Sequence, residues 1–389
     1  MKSVWKLKGM LFFFHSSMTI LISYLPVYFQ YLGLTGNEIG ILLAVGPAAA
    51  IIAQPFWGFM SDRWKTVKRV LLLCLSSALA IGFIVFQIAE FILLIPIVYI
   101  FFSFMSPAGG LGDSLAQKVS IQRGVSFGSI RMWGSLGFAS ASLTGGYILS
   151  SIGIANIYYV FASFLLIALV FTYMAPDSEP SKKPVQLRKA VKLLKDRQLL
   201  IFLLLILSIS LTHRMNDSFI GLYIIELGGN ESVIGLAWFI GVATEALVFA
   251  LSVYWLRGYH PLTYIIIAAS IYTARWLLMS LVPDATYLLF LQVMHGLAFG
   301  IFYLTGFQFA SKLVPEELQS TGHLLFISVF FGISGVIGSV LGGAVIDQFD
   351  VRSLYTLMFG MALIGLVSSF VYRHFYLKRE REEQATSGS

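Results

Sequence analysis

The chain has 389 residues, of which 58% are hydrophobic and only 12% are charged, and its formal net charge is +7. Soluble globular domains carry about 25% charged residues, so this composition excludes a water-soluble globular protein and indicates repeated membrane spans. The single cysteine, Cys74, excludes both an intrachain disulfide and a cysteine-type zinc site.

Apolar segments of about 20 residues can cross the hydrocarbon core of a bilayer as helices. The sequence contains twelve such segments, which predict an all-α membrane protein with twelve transmembrane helices. In chain order they are 9–32, 38–61, 69–89, 91–116, 127–150, 156–175, 199–225, 232–256, 262–282, 285–311, 320–346 and 352–376.

The basic residues are distributed unevenly between the two sides of these spans. If the amino terminus is cytoplasmic, cytoplasmic segments hold 22 of the 26 Lys and Arg residues, and the external loops hold only Arg352. The other three, Arg131, Arg214 and Arg275, lie inside spans. This bias predicts a multi-pass protein of the cell membrane with both termini in the cytoplasm. It also explains the positive charge without a nucleic-acid partner.

The longest polar segment, 176–198, separates the sixth span from the seventh. It divides the chain into a first six-helix bundle at 1–175 and a second at 199–378, and a polar cytoplasmic tail follows at 379–389. Seven basic residues in the segment predict an amphipathic cytoplasmic linker that lies on anionic lipid.

A weak internal repeat of about 195 residues relates the two halves. The fifth and eleventh spans are both glycine-rich and reach glycine pairs, Gly145-Gly146 and Gly342-Gly343. Two pseudo-symmetric six-helix bundles are the layout of transporters that rock around a central site. Small residues at these positions predict close contacts between helices.

The loop after the second span reads Gly58-Phe-Met-Ser-Asp62-Arg63-Trp-Lys65-Thr-Val-Lys68-Arg69. It resembles the signature loop of the major facilitator superfamily, in which a glycine, an aspartate and several basic residues form a cytoplasmic latch. The resemblance implies a gating loop in which Gly58 permits close helix contact and Asp62 pairs at a helix end. Arg63 and Lys68 would keep the loop on the cytoplasmic side. An ordinary positively charged loop is the alternative.

Two features depart from that signature. Lys65 stands where the superfamily usually has a second glycine, and Val67 replaces a usual basic residue. In the second half, Arg257 lies at the equivalent place but lacks a carboxylate partner.

Ionisable side chains inside spans are energetically costly and mark functional sites or structural ion pairs. In the first half, Asp113 and Arg131 should both lie about 7–8 Å from the cytoplasmic edge at the helical rise. Adjacent helices with opposite charges at one depth predict an ion pair. His15 and Gln30 in the first span are further polar candidates.

The second half carries more ionisable residues within its spans. Arg214 and Asp217 are three residues apart and share a helix face. A carboxylate, a guanidinium and an imidazole near mid-membrane can bind a polar substrate and move a proton, although structural charge pairing is the alternative. The residues are His213, Arg214, Asp217, Glu245, Arg275 and His295.

Several of these residues resemble the lactose permease family of proton symporters. The matching stretches are Asp113-Ser-Leu-Ala-Gln-Lys118-Val119, Phe127-Gly-Ser-Ile-Arg131-Met-Trp-Gly134 and Thr244-Glu245-Ala-Leu. In that family the acid and the arginine matching Asp113 and Arg131 grip the sugar. Glu245 matches a functional glutamate, Arg275 a ninth-span arginine and His295 a tenth-span histidine. The resemblance implies that these five residues bind the substrate.

One departure concerns the proton. In lactose permease the carboxylate three residues after the histidine carries the proton, whereas this chain has Ala298 there. The sequence is more similar to the phenylpropionate permease and nucleoside–proton symporter group. The stretches that fit that group are Gln54-Pro55-Phe-Trp57-Gly58 and Gln292-Val-Met-His295-Gly296. If transport is proton-coupled, Glu245, Asp113 or Asp217 must carry the proton.

These features predict a monomeric secondary transporter for a small organic solute of the sugar, aromatic acid or nucleoside type. Proton symport by alternating access is expected, without a cofactor or a metal. Proton-antiport efflux would use the same residues and stays open. The alternatives from other classes are a membrane enzyme, a lipid-handling protein and a channel. The sequence shows no nucleophile elbow or metal-ligand spacing for an enzyme, and no filter motif for a channel.

Overall fold

The computed structural model describes residues 4–178, 193, 195–256, 258–315 and 318–387, without the side chains of 320, 321 and 383–387. Most of the predicted linker, Arg257 and the last two residues lie outside the described residues. All regular elements within the described ranges are helical. The first half consists of α1 (Val4–Tyr31), α2 (Gly36–Trp64), α3 (Val67–Val85), α4 (Phe91–Arg123), α5 (Phe127–Ile152) and α6 (Ile157–Met174).

The second half repeats this arrangement with six more long helices. Its eleventh helix contains a π-helical stretch, and a single helical turn, Ser252–Trp255, follows the eighth helix. The helices are α7 (Arg197–Glu226), α8 (Glu231–Ala250), α9 (Pro261–Leu281), α10 (Ala285–Lys312), α11 (Gln319–Ile327, Ser328–Ile333 and Ser334–Gln348) and α12 (Val351–Ser387). The predicted fold, twelve transmembrane helices in two six-helix bundles, is confirmed.

Eleven helices of the described residues are long and apolar enough to cross a membrane. The exception is α5, whose 26 residues are rich in glycine and serine. Its place in the bundle nevertheless follows from its packing, because a Cβ on Gly145 would lie 3.8 Å from the ring of Tyr24 in α1. The small residues that lower the hydropathy of α5 are therefore those that let it pack closely.

The helix ends are held by local caps. At the start of α2, Thr35 and Glu38 form a reciprocal capping box. The helix stops at Lys65, whose φ of 54° is left-handed. The usual glycine of the signature loop would adopt this conformation without strain, whereas a lysine adopts it at a cost.

Asp177, in the segment after α6, caps the start of α3 from outside that helix. Its carboxylate accepts hydrogen bonds from Thr66 Oγ1 at 2.5 Å, the Lys68 amide at 3.0 Å and the Ser178 amide at 2.8 Å. Burial alone would raise the pKa of this carboxyl, but the three hydrogen bonds outweigh burial and lower that pKa below its ordinary value.

The two halves touch through backbone on the side away from the chain termini. A Cβ on Gly40 of α2 would lie 2.9 Å from the Cα of Gly343 in α11. A Cβ on Gly146 of α5 would lie 2.5 Å from the carbonyl oxygen of Glu231 in α8. The predicted role of the glycine pairs in close packing is confirmed, because any side chain here would force the helices apart.

The same helices separate progressively toward the side that carries both termini. A Cβ on Gly335 of α11 would lie 3.1 Å from Pro47 in α2, and one on Gly332 would lie 4.0 Å from Ile51. Nothing lies within 4 Å of a Cβ on Gly58. The expected close contact at Gly58 is therefore wrong for this conformation, because α2 and α11 converge at one end and diverge at the other.

Candidate functional site

Arg275 of α9 lies at the centre of the second-half cluster and is completely buried. Its Nη1 donates to Nδ1 of His295 at 3.2 Å, and its Nη2 donates to Oε1 of Gln292 at 3.1 Å. A longer bond of 3.5 Å reaches Oδ1 of Asn216. The guanidinium carbon also lies 4.4 Å from the ring centre of Trp276. Among the described residues, Arg275 thus bonds only neutral acceptors and forms no ion pair.

This arrangement determines which nitrogen of His295 carries a proton. Because Arg275 donates to Nδ1, that nitrogen must be an acceptor, and the proton of the neutral ring belongs on Nε2. A second proton on Nδ1 would break the hydrogen bond and place two cations in contact. His295 is therefore held neutral by Arg275.

Glu245 of α8 lies beside His295, because a Cβ on Gly296 would run into the backbone nitrogen of Glu245. Its side chain is partly exposed, and among the described residues it has no ion pair and no hydrogen bond to another side chain. Glu245 can therefore gain or lose a proton without breaking a salt bridge.

About one turn of α7, from His213 to Asp217, supplies three further ionisable side chains of this half. Nη1 of Arg214 lies 2.7 Å from Oδ2 of Asp217, so the two residues share a helix face, as their spacing predicts, and form an ion pair. Nε2 of His213 lies 3.4 Å from the same oxygen. Nδ1 of His213 shares a hydrogen bond of 3.0 Å with the hydroxyl of Tyr272. One carboxylate oxygen therefore faces two basic side chains.

In the first half, Asp113 and Arg131 form the predicted ion pair, with Nε 3.0 Å from Oδ1. Their side chains are 37% and 35% exposed, so neither member of the pair is fully buried. A Cβ on Gly134 would lie 2.7 Å from Arg131 and 2.9 Å from Nδ1 of His15. Glycine at this position lets His15 and the ion pair lie close together.

The predicted gating loop lies at the termini side. Asp62 and Arg63 are exposed at the end of α2, and Asp62 is the charged neighbour of Lys118 in α4. The ammonium of Lys68 lies 5.5 Å above the ring of Tyr173. Asp62 thus connects the end of α2 to α4, and Lys68, in the first turn of α3, connects that helix to α6. Both contacts lie within the first half.

Sequence reasoning missed the neutral partners of Arg275. Asn216 and Gln292 hold the guanidinium, and the hydroxyl of Tyr355 donates to Oδ1 of Asn216 at 3.3 Å. Their polar character inside apolar spans was the available signal. What the sequence did not show was that α7, α9, α10 and α12 turn these side chains toward one point.

A metal ion would need ligands that are not already engaged. Among the described residues, His213, Asp217 and His295 offer ligand atoms within 4.8 Å of one another. However, Asp217 already accepts from Arg214, and His295 accepts from Arg275 through Nδ1. Two guanidinium groups at such a site would repel a cation, so the cluster fits protons and anions better than a metal.

Two six-helix halves around buried charges, closed at one end and open at the other, define the class of major facilitator transporters. The chain belongs to the MFS_1 like family, whose model matches residues 4–357. The resemblance predicted from the sequence is thereby confirmed, and the protein is a membrane transporter and not an enzyme.

The chain is similar over nearly its whole length to curated permeases. It is 28% identical over 368 residues to the maltose permease of Geobacillus stearothermophilus, covering 94% of this chain and 93% of that protein. It is 24% identical over 366 residues to the probable 3-phenylpropionic acid transporter of Escherichia coli (strain K12), covering 92% and 94%. The crystal structure of the nucleoside transporter NupG matches the fold with a TM-score of 0.87 at 18% identity, over 96% of this chain and 99% of that chain.

Proposed function

We propose that the protein carries a small organic solute of the sugar, aromatic acid or nucleoside type across the cell membrane in symport with protons. The similarity to permeases for maltose and 3-phenylpropionic acid supports this range of substrates. The observation that carries the proton coupling is Glu245, a carboxylate without a cation partner among the described residues, whose backbone packs against Gly296, the residue next to His295.

The proposal places the side that carries both termini in the cytoplasm. The strong bias of Lys and Arg toward that side supports this orientation. The conformation is then open to the cytoplasm and closed to the outside by the glycine contacts of Gly40 and Gly146. The site lies between the two halves of one chain, so a monomer suffices for transport.

Exposure divides the predicted site residues into two groups. Asp113, Arg131 and Glu245 are all partly exposed. We assign these three side chains to direct contact with the substrate. Arg275 and His295 are 0% and 4% exposed, so their predicted contact with substrate requires the other conformation. In the present one they hold a fixed positive charge behind the pocket.

Since Ala298 removes the acid that carries the proton in lactose permease, Glu245 takes that role in this proposal. A proton that enters from outside would neutralise Glu245 while substrate binds. Its release to the cytoplasm would restore a carboxylate near Asp217, which lies close enough to act on it electrostatically. The carboxylates of Glu245 and Asp217 would then repel each other in a region of low dielectric. This repulsion would favour the return of the empty transporter to the conformation in which Glu245 accepts a proton.

Binding of candidate substrates to the purified protein tests the first part of this proposal. Bound ligand raises the apparent thermal stability, so we expect a Tm increase with one class among sugars, aromatic acids and nucleosides. The increase should be lost in Asp113→Asn and kept in Glu90→Gln, a matched change at an exposed acid without a cap hydrogen bond. Equal Tm increases in both variants would reject Asp113 as a substrate contact.

Counterflow in proteoliposomes tests transport itself. We expect exchange of the stabilising ligand across the membrane by the wild type. If accumulation driven by a proton gradient proceeds unchanged in Glu245→Gln, Asp113→Asn and Asp217→Asn, proton coupling through these acids is wrong. Outward flux driven by inward protons would instead establish antiport.

A further inference from the structure

One carboxylate oxygen of Asp217 lies close to two basic side chains. Oδ2 lies 2.7 Å from Nη1 of Arg214 and 3.4 Å from Nε2 of His213. Asp217 is 8% exposed and His213 only 3%, whereas Arg214 is 23% exposed. Oδ1 of Asp217 has no hydrogen-bond partner among the described residues. The distances favour Arg214 in this conformation, and His213 is close enough to compete.

Arg214 also lies at the contact between the two halves. A Cβ on Gly335 of α11 would lie 3.1 Å from Pro47 of α2 and 3.6 Å from Nε of Arg214. This is the point along α2 and α11 where the helices begin to diverge. The guanidinium of Arg214 therefore lies beside the contact between α2 and α11 at the point where the two helices begin to separate.

The π-helical stretch of α11 faces this same segment of α7. Its consecutive rings, Phe330 and Phe331, lie 5.7 Å from the ring of His213 and 5.8 Å from the guanidinium of Arg214. A π-helical turn inserts an extra residue, and such turns are frequent at functional sites. The distortion lets two neighbouring residues of α11 contact two neighbouring residues of α7.

The surroundings of His213 show which imidazole can take a proton. The charged and titratable side chains that face it are Arg214 and Asp217 on α7, Tyr272 and Arg275 on α9 and His295 on α10. Glu245 of α8 lies farther away. From α11, the uncharged ring of Phe330 faces His213.

Burial and the two arginines oppose a charge on His213, and Asp217, 3.4 Å away, supports it. His295 cannot accept a proton at Nδ1 because Arg275 donates there. Nδ1 of His213 instead faces the hydroxyl of Tyr272, which can either donate or accept. His213 can therefore become an imidazolium and keep both of its contacts.

We propose that His213 and Arg214 compete for Asp217, and that protonation of His213 releases Arg214 and loosens the contact between α2 and α11. The added proton binds Nδ1 of the neutral ring, and the imidazolium then takes Oδ2 of Asp217 in an ion pair. Arg214 acts as a positioning residue between the proton site and the junction of the halves. The competition itself does not depend on the proposed function. Its biological role does, because that role is to couple proton uptake to the change in which side of the transporter is open.

Distances between two spin labels on the external side, measured by double electron–electron resonance, test this switch without any substrate. The labels replace exposed residues, Asn37 at the start of α2 and Gln348 at the end of α11, in a Cys74→Ala background. The probe is the proton alone. Histidine is the side chain that ordinarily changes charge between pH 5 and 8. We expect one short distance at about pH 8 and an additional longer distance at about pH 5.

The variants separate the switch from a general effect of acid. His213→Gln should remove the pH response and retain the short distance, whereas Asp217→Asn should show the longer distance at both pH values. His374→Gln, a matched change at an exposed histidine of α12, should respond as the wild type does. A wild type without a pH response, or a response that persists in His213→Gln, would overturn the proposal.

If His213→Gln does not fold, as judged by its elution in size-exclusion chromatography, Arg214→Gln provides a second test of the switch. Arg214 is partly exposed, and its removal must also abolish the pH response. An intact pH response together with no gradient-driven uptake would reject the proposed function and leave the switch standing. Normal uptake without a pH response would reject the switch alone.

Discussion

A Cβ placed on Gly40 would lie 2.9 Å from the Cα of Gly343, so α2 and α11 meet through backbone near their ends away from the chain termini. The same two helices are apart at Gly58, where nothing lies within 4 Å. Alternating access requires that these two ends exchange roles during transport. In the proposed transport cycle, Gly40 and Gly58 therefore mark the two ends of α2 that would exchange roles.

A leucine at position 40 should hold the external side open. Its side chain cannot fit against Gly343, so we expect Gly40→Leu to lengthen the distance between spin labels at positions 37 and 348. Gly58→Trp should leave that distance short, because it adds bulk only where the halves are already apart. A short distance in Gly40→Leu, or a long one in Gly58→Trp, would contradict this description of the two ends.

Glu245→Gln should uncouple transport from the proton gradient. The amide preserves the shape of the side chain but cannot exchange a proton. A gradient of about 100 mV supplies ~2.3 kcal/mol per proton, which corresponds to roughly 50-fold accumulation. We expect the variant to exchange substrate in counterflow and to accumulate none. Accumulation at the wild-type level would show that another group carries the proton.

Arg275 should be intolerant even of lysine. The planar guanidinium bonds His295 and Gln292 at once, and an ammonium lacks this fork geometry. Arg275→Gln leaves buried acceptors unpaired at a cost of about 1–3 kcal/mol each, so its Tm in detergent should fall markedly, with a smaller fall for Arg275→Lys. Arg123→Lys, at an exposed arginine of α4, is the control and should leave the Tm unchanged.

Lys65→Gly should stabilise the protein. Lys65 has a φ of 54°, and a left-handed conformation costs a residue other than glycine about 1–2 kcal/mol. Part of that gain is offset by the greater freedom of glycine in the unfolded chain, so we expect a net gain of about 0.5–1 kcal/mol in the free energy of unfolding. Gly124→Ala, at a φ of 64°, should have the opposite effect. An unchanged or lower Tm for Lys65→Gly would refute this explanation.

Asp177 should make stability depend on pH in the acid range. Its pKa is lowered in the folded protein, so its contribution is fully present above the ordinary pKa of an aspartate. That contribution is lost as the pH falls through the lowered folded-state pKa. Asp177→Asn should cost about 1 kcal/mol near pH 7, a typical value for a helix cap, and should reduce the acid-dependent fall in Tm. Parallel Tm curves of the two proteins from pH 3 to 7 would contradict this assignment.

The sequence predicts the helices and the simple charge pairs well. Asp113–Arg131 follows from two depths measured along adjacent helices, and Arg214–Asp217 follows from spacing on one helix. Both relations need only the helical rise and pitch. The predicted spans 91–116 and 352–376 end before the helices do. Both α4 and α12 continue into charged segments on the side of the chain termini, where water can solvate them.

What the sequence could not predict depends on how helices rotate about their axes and on conformation. The neutral acceptors of Arg275 come from α7 and α10, and no spacing rule brings Asn216 and Gln292 together. The π-helical stretch of α11 contains Gly332, but glycine recurs along the whole of α11, so this residue does not predict where the distortion lies. The open surroundings of Gly58 depend on which side of the transporter is open.

The central claim is that protons drive solute movement through this site. Its most direct test is uptake by proteoliposomes of the ligand that stabilises the purified protein, with an imposed gradient that is acid outside. We expect accumulation above the outside concentration that collapses with a protonophore and is absent in Glu245→Gln. Equilibration without accumulation, unaffected by the protonophore, would contradict it.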